Sequence, residues 1–156
     1  MKRRLAHLER LFPNLAKVGY VPQSDSEPKY NCIAWAADTS DAWWWPIPNT
    51  PRFFEGIKYD WPYNLPIDKS LITFKRLFQF KRYNDCESFE FDSGYKKIAI
   101  YINPTTNECT HASRQLRNGF WTSKLGPSFD IQHSDPNSII GYCYGEVACI
   151  MQQEFD

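Results

Sequence analysis

The run Cys109-Thr110-His111-Ala112-Ser113-Arg114-Gln115-Leu116-Arg117-Asn118-Gly119-Phe120-Trp121-Thr122-Ser123-Lys124-Leu125 decides the architecture. Residues 109–116 and 120–125 read as two strands, and Asn118-Gly119 between them favours a tight hairpin. Segments 86–91, 97–102 and 143–151 have the same strand character and are separated by Pro- or Gly-containing turns. The second half of the chain is therefore expected to form an antiparallel sheet.

Toward the N-terminus the period changes to that of a helix. Leu5, Leu8, Leu11 and Phe12 recur at helical spacing, and Pro13 is expected to stop that helix. After the polar stretch Gln23-Ser24-Asp25-Ser26-Glu27-Pro28, Asn31 is a good N-cap for the Ala-rich run Cys32-Ile33-Ala34-Trp35-Ala36-Ala37. Asp68 is expected to cap a further helix, with Leu71, Phe74, Leu77 and Phe78 on one face. Between these helices, residues 43–66 carry Trp43-Trp44-Trp45-Pro46 and Trp61-Pro62, with too many breakers for regular elements. This aromatic loop is read first as a lid on the core and second as a contact surface. Helices first and strands afterwards is an α+β order, with N-terminal helices packed on an antiparallel β-sheet, in a single domain spanning residues 1–156.

Composition narrows the function. The 18 Lys and Arg balance the 18 Asp and Glu, so no broad electrostatic footprint for nucleic acid or an anionic membrane is expected. Charged residues follow the basic start Met1-Lys2-Arg3-Arg4 too closely for a signal peptide or a membrane span. The chain reads as cytoplasmic, with export by a route lacking a cleaved signal left open. Five cysteines without CxxC spacing argue against a disulfide framework and a thiolate zinc site, and Cys143 and Cys149 are expected to be small core residues. No motif suggests a cofactor, and Cys109, Thr110, His111 and His133 lack the ligand set of a metal site. Composition does not define the oligomeric state.

Two residues remain as candidates for chemistry. Cys32 falls in the first turn of a helix, where the N-terminal partial charge favours thiolate. His111 opens a strand on which it shares a polar face with Ser113 and Gln115, a face expected to look into a cleft. His7 and His133 read as surface residues.

The blocks Tyr30-Asn31-Cys32-Ile33-Ala34-Trp35-Ala36, Thr110-His111-Ala112-Ser113-Arg114-Gln115-Leu116 and Gly119-Phe120-Trp121-Thr122-Ser123-Lys124-Leu125-Gly126 resemble an uncharacterised, mostly bacterial domain family. In order and spacing they are similar to the papain-like superfamily, with cysteine on the first core helix and histidine at a strand start. That resemblance implies acyl chemistry at an amide or ester bond of a protein, peptide or small molecule, with Cys32 as nucleophile and His111 as base. It also implies a third polar residue on the next strand to hold the imidazole. This chain departs from the pattern there, having no carboxylate or amide on that strand. Asp130 is the first candidate for the role, and a backbone carbonyl is the other. A two-residue turn at Asn118-Gly119 would put Thr122, Lys124 and Gly126 on the face of His111, whereas a three-residue loop would bring Ser123 round. The missing acceptor also supports an alternative, a catalytically inactive binding module of the immunity or adaptor type that uses the aromatic loop as its contact surface.

Overall fold

The computed structural model describes residues 6–23, 28–48, 53–125, 130–141 and 143–155. The basic start Met1 to Arg4, the polar residues Ser24 to Glu27, residues 49–52 of the aromatic loop, and Gly126 lie outside the described residues. In chain order the elements are α1 (Ala6–Leu11), α2 (Pro13–Val18), β1 (Tyr20–Pro22), α3 (Cys32–Ala36), β2 (Trp43–Trp44), β3 (Phe53–Phe54), β4 (Ile57–Asp60) and α4 (Leu71–Phe80). They continue with β5 (Asn84–Cys86), β6 (Tyr95–Ile102), β7 (Cys109–Gln115), β8 (Trp121–Lys124), β9 (Asp130–His133), a 3-10 turn (Pro136–Ile139) and β10 (Glu146–Glu154). This is an α+β fold with its helices mostly N-terminal.

Among the described residues, seven strands form one antiparallel sheet in the order β1-β9-β8-β7-β6-β10-β5, and β2-β4-β3 form a small separate one. Pro13 ends α1 and also opens α2, because its missing N–H is no loss at a helix start. Asn31 caps α3 as its chemistry suggests. Its side-chain oxygen accepts from Ala34 N at 3.2 Å and from Trp44 N at 3.0 Å, while its Nδ2 donates to the Trp44 carbonyl at 3.0 Å. One buried amide thus starts the helix and pins the aromatic loop. For α4 the cap is Ser70, whose oxygen accepts from Thr73 N at 3.2 Å, and Asp68 instead braces Ser70.

Two strand assignments shift. Residues 87–91 are irregular after the short β5, and the last strand begins at Glu146, so Cys143 is exposed in the preceding turn. The segment around Asp130 to His133 is a strand inside the main sheet.

The sheet separates two apolar clusters. On one side α3, α4 and the aromatic loop bury Cys32, Ile33, Trp44, Phe74, Leu77, Ile98, Ile100 and Ala112. On the other, α1, α2 and the 3-10 turn cover Leu15, Tyr20, Tyr101, Trp121, Ile131 and Ile139. The tryptophans of the loop are mostly anchors: Trp44 is buried, and the rings of Trp45 and Trp61 lie 5.6 and 5.2 Å from that of Phe74.

Candidate functional site

The hairpin after β7 fixes which residues face which helix. Leu116 N donates to Phe120 O at 2.8 Å, closing a three-residue loop over 117–119, with Gly119 at φ +88, a conformation suited to glycine. Arg114 pairs with Thr122 and Gln115 with Trp121. The longer-loop register is therefore the one adopted, and Ser123 lies on the face of Ser113 and His111.

A second irregularity sets the side on which Cys109 stands, while His111 keeps the face of Ser113. Tyr101 pairs with His111, but Ile102 pairs with Cys109, so Thr110 is an extra residue in β7. The bulge reverses the alternation. Cys109 and Ala112 both belong to the α3 side, and His111 points the other way, onto Tyr101 at 5.2 Å between ring centroids and onto Tyr144 at 3.9 Å. His111 is fully buried and does not look into a cleft. Neither of its ring nitrogens has a hydrogen-bond partner among the described residues. Burial, and then the nearby His133, hold its pKa well below 6.5.

Cys32 begins α3 on the opposite side of the sheet. Its thiol is buried, and desolvation raises its pKa to about 11 despite the Ala112, Ile33 and Cys32 amides and the charge of Lys124, which all pull it down. Such a value leaves roughly one thiol in ten thousand ionised at pH 7. The structure thus places Cys32 and His111 on different faces of the sheet.

Asp130 does not approach His111 either. It opens β9 directly opposite Lys124, so these two side chains share the α3 face while Ser123 and Ile131 share the other. Lys124 is fully buried in an interior strand, with Nζ 4.8 Å from the ring centre of Tyr30. The row facing Cys32 is thus Ala112, Lys124 and Asp130.

On the His111 side a different polar chain forms. Ser123 Oγ lies 2.9 Å from His133 Nε2, and His133 Nδ1 lies 2.8 Å from the Asp135 carbonyl. A proton on Nδ1 donated to that carbonyl leaves Nε2 to accept from the serine. Burial lowers the His133 pKa to about 4, so this ring too is neutral. Tyr101 Oη donates to the Pro136 carbonyl at 2.6 Å and lies 3.1 Å from Ser113 Oγ. Reading His133 as a surface residue missed this arrangement, for which its place opposite Trp121 in β9 is the only signal.

A model of a family described as a domain of unknown function (DUF7689) matches residues 22–152. The chain belongs to this family. No curated protein and no solved structure matches it. Among the described residues no helix is long and apolar enough to cross a membrane, and no group of three or more His, Cys, Asp or Glu side chains is placed to hold a metal ion.

Proposed function

We propose that this domain is a catalytically inactive binding module on a papain-like architecture, in which the cysteine and histidine of the thiol-hydrolase pattern serve packing. The observation that carries the reading is the stacking of buried His111 on Tyr101 and Tyr144, on the face of β7 opposite Ala112, whose side packs with Cys32. A thiol pushed up to about 11 and an imidazole held below its ordinary range are the reverse of the thiolate–imidazolium pair that acyl transfer needs. The aromatic loop contributes contact surface through its exposed rim. Tyr63, 41 % exposed, stacks on Phe80, 58 % exposed, with ring centroids 4.8 Å apart, and exposed aromatic pairs of this kind are anchors for protein partners.

A second reading is favoured by the polar groups around the sulfur. The Cys32 and Ile33 amides and the Lys124 charge surround a thiol that, once ionised, would attack an amide or ester carbonyl carbon. With the thiol proton given up to solvent, the S–C bond would form and the carbonyl oxygen would take the negative charge beside the amides. The C–N or C–O bond would then break, the amine or alcohol leaving with a proton from the Lys124 ammonium and Cys32 keeping the acyl group as a thioester.

Alkylation with iodoacetamide across pH separates the two. The inactive module predicts that native Cys32 reacts at least about a hundredfold more slowly than exposed Cys143 at neutral pH, with no change in His111→Ala. Rapid alkylation of Cys32 that collapses in His111→Ala would overturn the proposal, and collapse in Lys124→Met alone would favour the second reading.

A further inference from the structure

At the end of the sheet where β6 begins and β7 and β10 finish, a cleft of about 420 Å³ opens beside the C-terminal end of α3. That volume suits a small ligand. Its wall contains the cationic Lys96, Lys97, Arg114 and Arg117 against the carboxylates of Asp38 and Glu154, four against two, in a chain whose formal net charge is zero. Positive charge is therefore gathered here.

The central cation is held in place. The Arg114 guanidinium lies 3.8 Å from the ring centre of Trp35, and its Nη1 donates to Asp38 Oδ1 at 2.8 Å. The Nε–H is not engaged by any partner among the described residues, so the Nε edge of the fork remains to be satisfied. A planar carboxylate matches such a fork. At the same end of β7 but from its other face, Gln115 also lines the cleft; it is 7 % exposed, its Oε1 has no donor among the described residues, and its Nε2 donates to Gly119 O at 3.2 Å. A buried acceptor without a donor calls for a ligand that carries a hydroxyl or amide N–H. The Arg117 guanidinium sits 4.2 Å from the ring centre of Phe155, and these two with Tyr83 supply flat flanks.

We infer that this cleft binds a small organic carboxylate with a flat apolar body and one hydrogen-bond donor. Because the Arg114 Nε and the Gln115 Oε1 are both sealed from solvent, a small opening of the wall lets Arg114 take the carboxylate and Gln115 accept from the donor, while Lys96 and Arg117 contribute charge at the rim. The inference goes beyond the reading of Cys32, and its test is independent of that reading.

The probe is 4-hydroxybenzoate, followed by backbone amide NMR of the full chain, with neutral 4-hydroxybenzamide and inorganic phosphate as comparisons at equal ionic strength. Saturable shifts confined to residues 96–97, 114–117 and 153–155 are expected. Binding should weaken about tenfold in Lys96→Ala and in Arg117→Ala, and stay unchanged in Lys58→Ala, away from the cleft. Because the same spectra report folding, a collapsed variant is recognised at once, and Arg117→Gln then replaces it. Absence of saturable shifts, equal binding of the neutral amide, or indifference to the rim variants overturns the proposal. Phosphate binding as tight as that of the carboxylate does so as well, by reducing the cleft to an unspecific anion sink.

Discussion

The two faces of the main sheet bury polar groups in different ways. On the α3 face the buried cation Lys124 stands opposite Asp130 and near the Tyr30 ring, and Arg114 lies between Trp35 and Asp38. On the opposite face two histidines lie below their ordinary pKa, Ser123, Ser113 and Tyr101 are bonded among these groups or to carbonyls, and the buried Lys97 donates to the Ser88 carbonyl at 2.8 Å instead of facing a carboxylate. The difference supports the proposal that Cys32 and His111 serve packing: the thiol takes the Ala112 amide on one face, and the imidazole stacks on Tyr144 on the other.

Deleting one large ring from each face gives the largest effect. Phe74→Ala on the α3 side and Trp121→Ala on the other should each cost about 3–5 kcal/mol in urea unfolding. If both lower the midpoint of one common transition, the faces fold as a unit; two separate transitions would break the comparison into independent halves.

Acid should act through the His111 face. The folded pKa of His133 is about 4 against 6.5 when unfolded, so between those values the unfolded chain binds the proton and the folded one does not. Stability therefore falls as pH drops through that window, by roughly 3 kcal/mol for His133 alone, with His111 adding in the same direction. Urea midpoints measured from pH 7 to 4 in the native protein and in His133→Gln check this, since the variant should lose part of the slope.

Asn31→Ala probes the other face. It removes the cap of α3 and strands the buried Trp44 N–H, which should cost about 2 kcal/mol and loosen the aromatic loop, read as increased Trp emission quenching by acrylamide. Asp38→Asn, at a side chain 76 % exposed, should change stability by no more than about 0.5 kcal/mol, because water screens the Arg114 pair. A larger loss there would mean that Asp38 organises the cleft more firmly than its exposure suggests.

Much of this architecture is legible in the chain. Asn31 before an Ala-rich run marks α3, the Leu71 to Phe78 spacing marks α4, and the strands on either side of Asn118-Gly119 lie where alternation puts them. The candidate site is less legible, and for a definite reason. Side-chain facing has a period of two, so one extra residue reverses it. That happens twice within a few residues: the three-residue loop closed by Leu116 and Phe120 brings Ser123 to the face of His111, and the Thr110 bulge moves Cys109 to the α3 side. The surface reading of His133 fails for a related cause: an interior strand can bury a ring-nitrogen side chain when partners lie on the neighbouring strand or in the following turn.

The account rests on the separation of Cys32 from His111, and an NMR titration of the His111 ring in the native protein and in Cys32→Ser tests it most directly. The account predicts a ring that stays neutral at and above pH 6.5 and titrates identically in both proteins. A histidine that titrates above about pH 7 in the native protein, and falls back when the sulfur is replaced, would show a shared proton between the two side chains and contradict it.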